Sequence, residues 1–548
     1  MRPRKPLVRA LPWILGVLTM LHALPVYAQK SAETPTIRSV RIDQKDVFGT
    51  GDRDWFFGAS WLNSLHVLTK PYVLDDEIFF DIGDDLDTVD LLETERVLRL
   101  TRVFSKVSVQ HHVDGDSVDV VIEAQDRWSL DPAVVFSTGG GIATYGIQLE
   151  EYNLLGTASR AKVLGIRRTE NDIGLQGTFE LSLRRFLRSG ISANLAVTSN
   201  RFRTDQDVVI GQPYWRLFTP WAFNLRFTNA FGSDFAYGAE GASPRLLPFR
   251  ERTIDAWISQ ADGERDRLFV TGAVRASDVQ RVDPTSRQAF DNTAHILVGF
   301  SSISQRFSRT QFLNGYETED LQQGAWGSAT LGRVFSMGSG SQPMWYIAGE
   351  AEQSNLVTPT MYAFGRIAAG TGFVGSNARN TSLELLGIAH WRIDPALVLT
   401  SRLRSQTVWN WNGFHQLVLD PESGMRGLDA NGLAGDSRFV MNTELRWFPR
   451  WQLWIFGLSG VLFHDVGTVF DQNVRFLSSR YRNAVGAGIR IHNLKASGTN
   501  ASFRFDVAYD PLTGRMSGLI FAVNQLFSAF GLHQFRPPQI IGREIDGQ

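Results

Sequence analysis

Two short stretches of this chain could bring opposite charges together. They are Gly424-Met425-Arg426-Gly427-Leu428 and, about forty residues on, Phe463-His464-Asp465-Val466-Gly467. Arg426 lies in a long polar loop running from Trp409 to Arg438, and Asp465 is one carboxylate among apolar neighbours on an alternating strand. An arginine carries five donors and stays charged, so in an enclosed space it needs an acceptor. If Arg426 and Asp465 meet inside a closed sheet, a charge-assisted pair pins the loop there. Otherwise both are simply solvated in a wet interior. The chemistry on offer is a latch.

Signatures of reaction chemistry are weak by comparison. Gly370-Thr371-Gly372-Phe373-Val374-Gly375 satisfies G-x-G-x-x-G, but no helix follows it to receive a phosphate. There is no Walker loop, no G-x-S-x-G and no H-E-x-x-H spacing among the 10 histidines. His111 and His112 are neighbours on a strand and point to opposite faces, which is wrong for sharing a metal. With zero cysteines, thiolate ligands, Cys nucleophiles and disulfides are excluded. No enzyme, cofactor or metal is expected, and a net charge of −1 offers no global attraction for nucleic acid.

The elements that would position the latch follow from composition and period. Residues 1–28 have the plan of a secretory signal: Arg2, Arg4, Lys5 and Arg9, then an apolar run from Leu11 to Leu24, then Val26-Tyr27-Ala28. That run is shorter than the roughly 18 to 20 residues a spanning helix needs. Residues 35–126 read as a small α+β domain. A strand starts near Ile37, a helical turn or two covers Leu62 to Leu68, and a helix covers Asp87 to Thr101. A hairpin of Phe104 to His111 and Ser117 to Glu123 follows, turning at Asp114-Gly115-Asp116.

From Trp128 to about Phe530 the period becomes two. Phe503, Phe505, Val507 and Tyr509 alternate with Arg504, Asp506 and Ala508, and Trp221, Phe223, Leu225 and Phe227 alternate with Ala222, Asn224, Arg226 and Thr228. Charges such as Glu180, Arg184, Glu444 and Arg446 recur on the polar side. Aromatics make up 11%, with 50 glycines, and no apolar twenty-mer follows the leader. This is the pattern of a transmembrane β-barrel with a lipid-facing outside and a wet lumen. Roughly 400 residues at about 25 per strand and connection predict about 16 antiparallel strands over 128–530. The tail, 531–548, is expected to hang outside the last strand.

Several motifs in this order resemble the BamA/TamA-type outer-membrane assembly proteins, which join periplasmic POTRA domains to a sixteen-stranded barrel. Leu91-Leu92-Glu93-Thr94-Glu95-Arg96-Val97-Leu98-Arg99 with Phe104-Ser105-Lys106-Val107-Ser108-Val109 looks like a POTRA helix and its following strand. Glu151-Tyr152-Asn153-Leu154-Leu155-Gly156-Thr157 resembles the family's early barrel turn, with Glu151, Asn153 and Gly156 as its key positions. The Arg426 loop matches V-R-G-F/Y in part, Phe463-x-Asp465-x-Gly467 matches F-x-D-x-G, and Ser517 to Phe527 looks like the closing strand.

The resemblance implies one POTRA-like periplasmic domain and a luminal loop held by Arg426, Gly427, Phe463, Asp465 and Gly467. It also implies a weak lateral seam between first and last strands, at Gly139, Gly140 and Gly141 against Gly518 and Asn524. The expected function is insertion or translocation of unfolded polypeptide, or of lipid, at the outer membrane. A periplasmic partner could use the POTRA-like domain. The rival from another class is a passive channel for small solutes. An outer-membrane hydrolase would need a nucleophile and base that the sequence does not offer.

Overall fold

The computed structural model describes residues 34–47, 66–216, 219–238, 243–263, 266–311, 318–338, 341–430, 432–453, 456–493, 502–523, 526, 534–543 and 546. The expected secretory leader and most of the Leu62–Leu68 turn lie outside these residues.

The N-terminal domain is a three-stranded sheet with two helices. Strand β1 (Thr36–Lys45) runs parallel to β3 (Ser117–Asp126), which pairs antiparallel with β2 (Phe104–Asp114). Alternation on β3 is complete, with Val118, Val120, Ile122 and Ala124 buried. Helix α1 (Pro71–Asp75) begins at its proline, past the helical turn expected over Leu62 to Leu68. Proline suits the first helical position because its missing N–H would be unpaired there anyway. Helix α2 (Thr88–Leu100) is capped by Asp87, whose side chain accepts from the Val89 N–H at 2.7 Å. Its buried residues Leu91 and Leu98 complete the domain core with Ile37, Leu74 and Phe104.

After three residues of connection the chain enters a closed antiparallel barrel, beginning with Leu130–Gly139 and closing with Ile520–Val523. Twenty strands make up this barrel among the described residues, where about sixteen were expected. The expected spacing was too generous. Several connections are two-residue turns, as at Gly140–Gly141, Gly375–Ser376 and Pro395–Ala396, and the early strands are only 8 to 10 residues long. Such a circumference leaves a lumen that wall side chains alone cannot fill.

Side chains sort by period two around the wall. Along Met344–Thr358, Trp345 and Ile347 face outward, while Tyr346, Glu350, Glu352 and Ser354 face in and are buried. Along Ser502–Asp510, Phe503, Val507 and Tyr509 face out and Arg504, Asp506 and Ala508 face in. An apolar exterior around a charged interior belongs in a bilayer.

One expectation is reversed. The segment Gln534–Arg543 does not hang outside the last strand but lies within the barrel. Phe535 packs beside Phe269 and Trp326, and the Ile541 N–H donates to the Tyr346 hydroxyl at 2.8 Å. Burial of Ile540 and Ile541, partial burial of Phe535 and pairing of Arg536 with luminal acids favour the inside. The segment has no strand period to signal it.

The two faces predict opposite tolerances. Ile258→Arg, outward, should cost on the order of 2 kcal/mol or more and lower the temperature at which the barrel loses its resistance to SDS. Asn224→Arg, lining the luminal cavity, should leave that temperature within a few degrees. Equal losses from both would overturn the assignment of sides.

Candidate functional site: a loop latched in the lumen

Strand Phe456–Phe470 turns Val461, Phe463, Asp465 and Gly467 inward and leaves Leu462 and His464 outside. Its neighbour Ser437–Trp447 brings Asn442 opposite Asp465 and Glu444 opposite Phe463. The loop between Leu397–Trp409 and Ser437–Trp447 folds across this inner face. It first pairs with itself, Leu417–Leu419 against Leu433–Gly435. A tight turn then forms, in which the Asp420 N–H donates to Ser423 Oγ and the Ser423 N–H donates to Asp420 Oδ1, both at 2.8 Å. This turn aims Met425 and Arg426 at the wall.

Arg426 is fully buried. Its Nε and Nη2 donate to the two oxygens of Asp465, each at 2.8 Å, and Nη1 donates to Glu444 Oε1 at 2.6 Å. The third carboxylate, Asp506, lies 3.6 Å from Nη1. The Arg426 backbone N–H also donates to Asp465 Oδ2 at 3.3 Å. Beneath the guanidinium lies the Phe463 ring, 3.6 Å from Cζ to centroid, which adds a cation–π contact to the fork.

The surrounding charges extend the network. Arg446 holds the other oxygen of Glu444 at 2.7 Å, Arg490 pairs with Asp506, and Arg504 Nε lies 3.4 Å from Asp506. Asn442 donates to both Asp465 Oδ1 and the Gly424 carbonyl, 2.7 Å each. Arg402 donates to Asn442 Oδ1 at 2.7 Å and to the Ser423 carbonyl at 3.3 Å. Both sides of the loop's tip are therefore gripped.

Gly467 is explained by close approach. A Cβ there would lie 2.8 Å from both Leu419 Cδ1 and Met425 Sδ, so the bare backbone lets the loop's apolar side seat on the strand. Gly427 rests against Ala484 and Ala508 in the same way. Arg426, Gly427, Phe463, Asp465 and Gly467 thus converge on one place. Sequence reasoning did not single out Glu444, Asp506, Asn442 or Arg402 as partners. Their inward phase was readable, but the alternation of a strand gives no height or azimuth in the lumen.

The glycines of the first hairpin divide in role. Gly139 pairs with Ile142 at the end of the strand, and Gly140 and Gly141, with φ of +59° and +79°, form the two-residue turn. Gly140 also meets the latched loop: the Ala430 N–H donates to its carbonyl at 2.9 Å, and a Cβ there would lie 2.5 Å from Ala430 N. Leu130–Gly139 makes ten registered pairs with the next strand, Ile142–Glu151. Against the closing strand it makes one among the described residues, Thr138 with Phe521. Thr138 Oγ1 supplements it, donating to the Leu519 carbonyl at 2.7 Å. Phe521 packs near Phe136, Phe503 and Phe505. Gly518 lies in the break before Ile520, where a side chain would meet open space, and Asn524 lies outside the described residues.

Glu151, Asn153 and Gly156 sit at the opposite end, against the N-terminal domain. The Asn153 N–H donates to Glu151 Oε1, and Asn153 Nδ2 donates to Thr69 Oγ1 at 2.9 Å. The Lys70 N–H donates to the Gly156 carbonyl at 2.8 Å. Thr69 is held in turn by buried Asp126, which accepts from its N–H and its hydroxyl, 2.7 Å each. A second turn makes a parallel contact. Arg184 and Arg185 both pair with buried Glu77 of the domain, at 2.9 and 2.7 Å, and Arg188 pairs with Asp76.

No family model and no curated protein matches this chain. Among solved structures, BamA from Haemophilus ducreyi lacking POTRA domains 1–3 is similar at 12% identity over 90% of this chain and 84% of that one, with a TM-score of 0.44. CdiB from Escherichia coli is similar at 11% identity over 90% and 76%, TM-score 0.41. CdiB from Acinetobacter baumannii is similar at 11% identity over 93% and 96%, TM-score 0.39. No residue role follows from likenesses this distant.

Arg426→Ala leaves Asp465 and Glu444 buried beside the space vacated, a change that typically costs about 3–5 kcal/mol. It should expose the loop to added protease while the barrel stays folded. Arg426→Lys should fail to restore protection, because an ammonium cannot serve both oxygens of Asp465 and Glu444 in one plane; wild-type protection in the Lys variant would sink the fork geometry. At the junction, Asn153→Ala should cost about 1–3 kcal/mol and speed amide exchange at Thr69 and Lys70, and unchanged exchange there would remove its bridging role.

Proposed function

We propose that this protein is an outer-membrane barrel of the assembly and translocation type, which hands extended polypeptide, or lipid, across a lateral seam. The N-terminal β-α-α-β-β domain would be its single POTRA-like periplasmic module. The observation that carries the reading is the contrast at the seam: among the described residues, one registered pair joins the first and closing strands, against ten in the neighbouring hairpin. Ladder hydrogen bonds and cross-strand contacts hold a sheet together, so the junction with fewest of them is where a barrel opens at least cost.

An exposed strand edge takes up another strand through main-chain hydrogen bonds, with little demand on client sequence. The client's own folding would supply the driving force, and no cofactor enters. The latched loop fits this reading because its Ala430 holds the turn beside the seam. It fits a passive solute channel poorly, since the loop occupies space that solute would need.

Cysteines at Thr138 and Phe521 should form a disulfide across the seam on oxidation. In lipid vesicles, the oxidised barrel should lose at least tenfold in its rate of inserting a small unfolded outer-membrane barrel, and reduction should restore it. Full insertion activity in the oxidised state would remove lateral opening as the mechanism.

A further inference from the structure

The lumen contains an extended segment as well as the loop. Phe535 enters an aromatic cup, with Tyr214, Trp257 and Phe269 at ring-centroid distances of 5.2, 5.2 and 5.0 Å, and Trp326 at 6.3 Å. Next to it, Arg536 Nη2 lies 3.0 Å from Glu350 and 2.6 Å from Glu352. Pro538 lies over Gly299, whose missing side chain makes the room: a Cβ there would be 3.1 Å from the proline ring. Main-chain contacts follow. The Ile541 N–H donates to the Tyr346 hydroxyl and the Ile541 carbonyl accepts from Ser382 Oγ, 2.8 Å each. At the far end Asp546 pairs with Arg438, while its N–H donates to the Gln416 carbonyl at 2.9 Å and its carboxylate accepts from the Val418 N–H at 2.8 Å.

These contacts run from the end of the barrel near the turn after Asp262 to the latched loop at the other end. A cavity of about 710 Å³ lies alongside the segment, lined by Pro537 to Arg543 and by Trp257, Arg275 and Arg366. A second of about 520 Å³ lies beyond Asp546, between Arg203, Glu422 and Arg438. Parts of the segment line both cavities.

We propose that the inner wall is a binding track for a peptide, and that residues 535–543 together with Asp546 are its resident occupant and act as a displaceable plug. The track takes an aromatic side chain in the cup and a cation on the Glu350–Glu352 pair. It takes a proline at Gly299, and a carboxylate at Arg438 about ten residues further on. Most of these contacts use side-chain ends or backbone that any extended peptide offers. A competing peptide of the same pattern can therefore replace the segment without altering the wall. The plug stands whether or not the seam opens.

The test is conductance in planar bilayers of the full chain and of a variant ending at Ala529. The truncated barrel should conduct at least threefold more, and a synthetic peptide of residues 534–546 should close it again. The same peptide carrying Phe535→Ser and Arg536→Glu should need at least tenfold more for half-block. The Glu peptide should recover potency on a barrel carrying Glu350→Arg and Glu352→Arg. Should truncation prevent folding, the full chain with Phe535→Ser and Arg536→Glu should show open events at least threefold more often than wild type. Unchanged conductance in every variant, or equal block by a scrambled peptide, overturns the proposal. Block by the peptide in a barrel that inserts no client keeps the plug and counts against the seam function instead.

Discussion

A guanidinium removed from water inside a wide barrel is the constraint on which much of the rest depends. Left alone, Arg426 would lose several kcal/mol of hydration with nothing in return. Here a bidentate carboxylate, a second acid and an aromatic face replace that hydration, all from two neighbouring strands of the wall. Because the acceptors belong to rigid strands, the loop cannot keep its charge satisfied anywhere else. Asp465 is likewise committed, to Asn442 as well as to Arg426. Arg446, Arg490 and Arg504 then balance the acids that Arg426 alone would leave in excess.

The breadth of the barrel gives this latch its purpose. Twenty strands enclose more volume than inward side chains can occupy, so the interior is filled by chain: the loop from one end and residues 535–546 from the other. The two meet where Asp546 joins Arg438 and Gln416. Here segments of chain do the filling in place of bulky wall residues. A passive pore gains nothing from that arrangement.

How far the sequence reveals this depends on the range of the signal. Alternation along Ser502–Asp510 tells lipid from lumen because the period is local and the two solvents differ so much. Arg426 and Asp465 stand out because each is a charge among residues that offer it nothing nearby. Glu444 and Asp506 sit in equally regular strands, and only the shear of the closed sheet determines that they reach the same guanidinium. Strand number is hidden for a related reason: two-residue turns such as Gly140–Gly141 and long loops such as 410–436 average to a misleading spacing. Phe535 to Asp546 was the hardest to place. It has no period, and its partners are scattered over Tyr214, Glu350, Ser382 and Arg438.

The junction of the two domains has a mechanical meaning. The N-terminal domain is bolted to the barrel at Asn153 and Gly156 and again at Arg184, Arg185 and Arg188. A body fixed at two separated points on a rim cannot swivel freely, and torque applied to it reaches the rim instead. Both bolts lie within the first few staves after the barrel's first strand, on the same flank as the thin join. The domain is therefore a lever arm whose load falls on the staves next to the barrel's first strand.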